Sequence, residues 1–339
     1  MFILNKNLST YLKGIAIILM VIWHSLGWPD WLVYPISYPA TYLQPYSKYI
    51  AGFAGFAVVQ LFLFLTGYTY YHHKDKSIQY SIKKIIVFLI DYWIVYFIFL
   101  TIAIFYCNYN FSIIDIFTEM FALTNNVMAF NWYVFLYIEV MLFLPVLNHL
   151  SNKYPLKKTL LILLMLFVLA EIISLALLLV FEKKFFLYKA ISSYFVKQVP
   201  ISIIGYFSAK FNLIQNVRIY LIQYPKWLLY FSMFLSVVVY AFKSKLVYIL
   251  TPYYVSLMSC FSIDYSNIFN RLILFLGKHS MNIWFLQCIF YANATKFVFQ
   301  KYAYLPQNPF LVVIWILLLC SIGSIIITSI QKRINNLIL

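Results

Sequence analysis

Residues 157–180 read KKTLLILLMLFVLAEIISLALLLV. Behind the two lysines, 22 residues carry a single ionisable side chain, Glu171. A run of that length crosses a hydrocarbon core of about 30 Å as one helix. It shows neither the alternation of a half-buried strand nor the polar face of a surface helix, so it is apolar all round and suits lipid. Backbone groups in lipid must bond within their own segment, and a barrel would need alternating strands of about ten residues. The run therefore predicts a transmembrane helix.

Comparable runs recur on both sides of it, at approximately 9–28, 51–71, 84–106, 130–149, 191–211, 225–242, 246–263, 272–299 and 309–330, which makes about ten spans in all. The expected fold class is all-α, a polytopic helical bundle in the membrane. The 339 residues are 64% hydrophobic and 10% charged, with mean hydropathy +0.87. A soluble domain carries about 25% charged residues, so this chain cannot cover itself with a polar surface. With no internal repeat, low-complexity tract or long linker, residues 1–339 read as one domain. Lys6 and Lys13 ahead of the first apolar run resemble a signal peptide, but no small-residue cleavage site follows, so the run reads as an uncleaved first helix. Cys107, Cys260, Cys288 and Cys320 lie in or near different spans without a CxxC pair, which points to apolar fillers rather than a disulfide framework or a metal site. The segment 112–122 carries Asp115 and Glu119 at i, i+4 among Ile and Phe, the pattern of a short interfacial helix.

The charge is lopsided, with 25 Lys and Arg against 9 Asp and Glu for a net +16, and orientation follows from where the Lys and Arg fall. With the N-terminus inside, about 16 basic residues fall in inside loops and about 8 outside, so the bias gives N-in and C-in. The inside clusters are Lys74/Lys76/Lys83/Lys84, Lys153/Lys157/Lys158, Lys210/Arg218/Lys226, Arg271/Lys278 and Lys332/Arg333; Lys183/Lys184/Lys189 is an outside exception. No nucleic-acid-binding pattern accompanies the charge, so the expected partners of the basic loops are membrane lipid headgroups. Heavy use of Ile, Lys, Asn, Tyr and Phe suggests an AT-rich genome and a multi-pass protein of a bacterial cell membrane.

Polar groups inside spans are costly unless paired or facing a cavity, so each is a functional candidate. Lys13-GIAIILMVIW-His24 places two of them 11 residues apart on the first helix. At 100° per residue His24 returns to within about 20° of Lys13, roughly 16 Å along the axis. A cation at the cytoplasmic edge suits a phosphate; a neutral imidazole deeper in suits a general base. The bland alternative, a snorkelling lysine and a hydrogen-bonded core histidine, stays open on these residues alone. Glu139, about two turns inside its span, either orients His24 or makes a structural ion pair. Asp91 and Glu171 read as structural. Lys197, near Pro200 and Gly205, marks a place where a broken helix could open a cavity.

Five blocks in order resemble the type-3 membrane acyltransferases. Lys13-x10-His24 is similar to the family's arginine-x10-histidine, with lysine keeping the charge but losing the bidentate fork. QLFLFLTGYTYY (60–71) is similar to its aromatic helix ending in Ser-Gly-Tyr, here Thr66-Gly67-Tyr68. SIKKIIVFLIDYW (81–93) resembles its basic helix three, with Lys83 and Lys84 at the first basic position and Val87 at the second. NWYVFLYIEVMLFLP (131–145) resembles its Trp…Pro helix through Trp132 and Pro145. FLGKHSMNIWFLQ (275–287) is similar to its "LGKxSxxIYLLH" block, with Gln287 at the usual histidine.

The resemblance implies transfer of an acyl group, usually acetyl, from cytoplasmic acyl-CoA to a hydroxyl of a cell-surface or lipid-linked glycan, with no metal. On it, His24 and Glu139 are candidate catalytic residues, and Lys13, Lys83, Lys84 and Lys278 candidate acetyl-CoA contacts. Trp132, Tyr133, Ser280 and Gln287 are candidate substrate contacts. Two other classes remain compatible: a transporter or flippase of a lipid-linked glycan, and an inactive family member acting as a partner. Lys83 and Lys84 as topology anchors, and Trp132 and Tyr133 as an aromatic belt, are the structural alternatives.

Overall fold

The computed structural model of the chain describes residues 4–27, 32–33, 44–180, 195–241, 247–261 and 263–338. Among the described residues every regular element is helical. In chain order they are α1 (Lys6–Leu26), α2 (Gln44–His72), α3 (Ile78–Phe105), α4 (Ile113–Met120), α5 (Trp132–Lys153) and α6 (Leu156–Val180). There follow α7 (Lys197–Lys210), α8 (Leu213–Leu221), α9 (Lys226–Ala241), α10 (Val247–Cys260), α11 (Ile268–Lys278), α12 (Ser280–Gln287), α13 (Lys296–Ala303) and α14 (Pro309–Ile338).

Five of these, α1, α3, α5, α6 and α14, are long and apolar enough to cross a bilayer. The pair α11 and α12 makes a sixth span if counted as one, but it is bent by 68°. The uninterrupted span expected over 272–299 is thus broken. The polar triplet Lys278-His279-Ser280 sits at the bend, where His279 leaves helical geometry at φ −101°, ψ 6°. Ser324 of α14 holds the His279 ring, Oγ to Nδ1 at 2.5 Å. The stretches expected at 191–211, 225–242 and 246–263 contain helices of 14, 16 and 14 residues, shorter than the 20 or so that span hydrocarbon. The cluster Lys183/Lys184/Lys189 lies outside the described residues.

Two glycine crossings bring helices together backbone to backbone. A Cβ on Gly14 of α1 would collide with the Ile273 carbonyl oxygen of α11, and one on Gly277 of α11 with the Thr10 oxygen of α1. Gly67 of α2 and Gly205 of α7 repeat the arrangement, against the Ser202 and Phe64 oxygens. Lipid tails supply no hydrophobic drive between helices, so such close van der Waals approach is what binds them. Pro200 is accommodated inside α7, which runs on unbroken past it.

A buried polar lattice ties α3, α12 and α14. Asn282 donates to Thr328 Oγ1 (2.9 Å) and Gln331 Oε1 (2.7 Å), and Gln331 donates to the Asp91 carbonyl (3.3 Å) and Asn282 Oδ1 (2.9 Å). Asn335 donates to Asp91 Oδ1 at 3.2 Å, so Asp91 is a structural acceptor, as its sequence setting suggests. The side chains separate into two apolar clusters. One gathers α1, α3, α12 and α14; the other gathers α2, α5 and α7.

Candidate active site

A cavity of about 210 Å³ opens on the seam between those clusters. Each wall follows from helical spacing. Lys13 and Met20 come from α1, seven residues apart and so on one face. Phe62, Leu65, Thr66 and Thr69 form an i, i+3, i+4, i+7 stripe on α2; Tyr133 and Tyr137 are one turn apart on α5; Ser280, Met281 and Trp284 line it from α12, and Phe88 from α3. The threonine hydroxyls donate to carbonyls of their own helix, Thr66 to Phe62 at 2.9 Å and Thr69 to Leu65 at 2.7 Å. Aromatic contacts fix the rest: Tyr133 meets Trp284 edge-on at 5.3 Å, and Phe88 lies 4.3 Å from Tyr137.

Lys13 is half-buried at one end of the cavity. At the other, the α1 face continues one turn past Met20 to His24, and the α12 face one turn past Trp284 to Gln287. Both are buried, His24 at 4% exposure and Gln287 at 0%. The His24 ring stacks on Phe130 at 3.7 Å and 12° between planes. Gln287 approaches it as its polar neighbour, outside the geometry of a formed bond: His24 Nδ1 and both Gln287 amide atoms are buried without hydrogen-bond partners among the described residues. Buried polar atoms are nearly always paired, so three orphaned atoms at one place mark a site for something else to bond.

Phe130 is held over His24 by the segment before α5. Ser112 and Asp115 cap α4 reciprocally, and Glu119 at its far end is buried. Glu119 Oε1 accepts from the N–H of Val127 (2.6 Å) and Met128 (2.7 Å). Burial raises the Glu119 carboxyl above its ordinary range, and those N–H bonds draw it part of the way back. Three α3 side chains anchor α4: Tyr92 to the Glu119 carbonyl (2.7 Å), Trp93 to Met120 (2.9 Å) and Tyr96 to Ile116 (3.1 Å). The Asn131 amide donates to the Thr124 carbonyl.

Residues 9–329, essentially the whole chain, match the family model described as an acyltransferase domain, that of the acyltransferase 3 family. The chain belongs to the acyltransferase 3 family. With its apolar helices, membership makes it a membrane acyltransferase. No match was found among curated proteins or among solved structures.

Of the residues singled out in this acyltransferase, Lys13, Tyr133 and Ser280 line the cavity; His24 and Gln287 do not, and follow its lining residues Met20 and Trp284 by one helical turn. Lys84 lies one turn before Phe88 on the same side of α3, exposed, with its Nζ 5.6 Å from the Tyr80 ring. Lys83, rotated about 100° from it, is exposed and not a lining residue. Lys278 is exposed at the bend beside Ser280. Trp132 is T-shaped on Tyr133 at 6.2 Å and supports the wall from behind. Glu139 is absent from the lining. It follows Tyr137 by two residues, about 200° around α5, and its Oε2 is buried without a partner among the described residues. Lys197 opens the α-helical part of α7 directly after a π-helical pair at 195–196, and lines none of the described cavities.

Sequence reasoning missed Phe130, Tyr137 and Thr69 and had Thr66 only as a motif position. The threonines had a signal, their place on the 62/65/66/69 stripe. Phe130 had none, because it sits on a connecting segment whose course depends on Glu119. Among the described residues no three His, Cys, Asp or Glu side chains are grouped as metal ligands.

Proposed function

We propose that this membrane acyltransferase moves an acyl group, an acetyl group first of all, from cytoplasmic acyl-CoA to a hydroxyl of a cell-surface or lipid-linked glycan. The observation that carries the reading is the continuity of one cavity from Lys13 to the turn below the orphaned His24–Gln287 pair. Its volume of about 210 Å³ is below the 300 Å³ or more of pockets that enclose whole small ligands. That suits the narrow, uncharged pantetheine arm and leaves the charged nucleotide at the mouth. Lys13, with Lys84 and Lys278 nearby, supplies cations for its phosphates, and the positive-inside bias puts that mouth on the cytoplasmic side.

The thioester then lies within the bilayer beside Tyr133 and Trp284. His24 takes the proton of the acceptor hydroxyl as its oxygen attacks the thioester carbonyl. The C–S bond breaks, and the proton leaves on the CoA thiol. The Phe130 stack holds the imidazole plane. The Gln287 amide, with no bonded partner among the described residues, offers a donor to the carbonyl oxygen where charge develops. The flippase reading finds less support, because the cavity lining stops at Met20, Tyr133 and Trp284, beneath the His24–Phe130 stack.

The test is transfer of labelled acetyl from acetyl-CoA to surface glycan in membranes containing wild type, His24→Ala or Lys13→Gln. His24→Ala should lose about 10²–10⁴ in rate, the worth of a positioned base. Lys13→Gln should raise KM for acetyl-CoA with kcat less affected. Full activity of a folded His24→Ala protein would remove the mechanism while leaving the family in place.

A further inference from the structure

A second cavity, of about 220 Å³, is lined by Asn125, Ala129, Tyr291, Asn293 and Lys296. It lies on the opposite side of His24 from the first. Ala129 adjoins Phe130, which stacks on His24, and the Tyr291 ring is 6.2 Å from the His24 ring. Tyr304 clamps that wall to α1, donating to the Ser25 carbonyl at 3.0 Å, with its hydroxyl 3.4 Å from that of Tyr291. The two lining loops are joined by the Ala294 N–H to the Asn126 carbonyl at 3.0 Å. Thr295 donates to the Ile289 carbonyl at 2.6 Å, and Glu119 fixes the other loop. The walls are therefore built before any ligand arrives.

The lining chemistry is selective. Two exposed-to-half-buried amide and ammonium groups from Asn293 and Lys296, with Asn125 across from them, face a cavity into which no acidic side chain projects among the described residues. Lys296 Nζ lies over the face of Phe297, 5.4 Å from the ring centroid, and makes no ion pair among the described residues. By the positive-inside bias this is the sparsely basic end of the bundle, where a lysine is not needed for topology.

We propose that this second cavity is the acceptor subsite, and that it takes a hydroxyl-bearing sugar carrying an anionic group, bound by Lys296 and oriented by Asn125 and Asn293. The proposal rests on the acyl-transfer reading and adds the acceptor's charge to it. The anion is either a sugar carboxylate or the phosphate of a lipid-linked sugar; both offer charged oxygens to an ammonium and two amides. Tyr291 supplies an aromatic face for the ring, and the hydroxyl then points past Phe130 to His24.

Three probes with similar ring hydroxyls separate the cases: methyl β-D-glucuronide, glucose 1-phosphate and neutral methyl β-D-glucoside. Their binding to the purified full chain is read by saturation-transfer NMR without acyl donor, for wild type, Lys296→Gln and Lys296→Arg. Wild type should bind at least one anionic probe about tenfold more tightly than the glucoside, the size of one charge-assisted hydrogen bond. Lys296→Gln should erase the difference and Lys296→Arg retain it. Preference for the glucuronide identifies an acidic sugar, and preference for the phosphate a lipid-linked one. Equal binding of all three probes, binding of none, or a preference untouched by Lys296→Gln overturns the subsite. Acetyl-CoA binding is measured in parallel on the same samples: if it persists, only the subsite has failed, and if it is absent, the acyl-transfer reading has failed with it.

Discussion

Gln287 stands where the family resemblance places a histidine, and under the proposed mechanism the exchange is consequential. The residue is buried beside His24, one turn beyond Trp284, with neither end of its amide bonded among the described residues. An amide can donate to a carbonyl oxygen or steady an imidazole, but it cannot carry a proton between them. Gln287→Leu, which keeps bulk and removes both polar atoms, should lower kcat by about 10-fold to 100-fold, toward the cost of losing one donor from a charge-stabilising site. Gln287→His should keep activity and give it a new dependence on pH. Rates of acetyl transfer across pH for the two variants check this; a fully active Gln287→Leu would reduce Gln287 to packing. Much of this corner was legible beforehand, since the 11-residue interval already placed Lys13 and His24 on one face. Glu139 was not. Its separation from Tyr137 turns it away from the cavity, and that matters only once Tyr137 is known to line the wall.

Helices carried more of their meaning in small residues than in apolar length. Thr66-Gly67-Tyr68 reads as a motif, yet the physical demand at its centre is for no side chain, because Gly67 lies on the Ser202 carbonyl of α7. Gly67→Ala must push α2 and α7 apart, and overpacking of this kind costs about 1–3 kcal/mol or more. The same strain moves Thr66 and Thr69, so the detergent-solubilised variant should melt lower than wild type and bind acetyl-CoA more weakly. Unchanged melting would mean the crossing is looser than the structure shows. The break at 278–280 was hidden from sequence for a related reason: apolar windows on either side merge into one span, and the partners of His279 at the bend, Ser324 and Thr328, lie on a distant helix. Short α4 was readable from its acids and its outward Ile113, Ile114 and Phe117, each more than half exposed. Glu119→Ala leaves the buried N–H groups of Val127 and Met128 without an acceptor, at about 1–3 kcal/mol each. Phe130 should then leave the His24 ring, so transfer should fall while acetyl-CoA binding at the Lys13 end persists. Equal loss of both would point to general unfolding instead.

For the whole molecule, the mechanism depends on which end of the bundle meets the cytoplasm, because Lys13 and Lys296 belong to opposite ends of the path through His24. Composition and run length made an all-helical membrane protein legible. Of the ten runs, five described helices are long and apolar enough to cross a bilayer and the bent pair makes a sixth if counted as one, while the described helices at 197–210, 226–241 and 247–260 are shorter. Orientation therefore rests on charge. The turns after α2 and α5 and the end of α14 carry lysine and arginine clusters, which resist translocation. Single cysteines placed in a chain freed of Cys107, Cys260, Cys288 and Cys320 read this directly. Asn152→Cys, at the exposed end of α5, should react with an impermeant maleimide only after the membrane is opened. Asn110→Cys, exposed after α3, should react on intact cells. The reverse pattern would put the Lys13 mouth outside, away from cytosolic acyl-CoA, and the second cavity would become the donor side. One labelling experiment thus decides the direction of transfer before any acceptor is known.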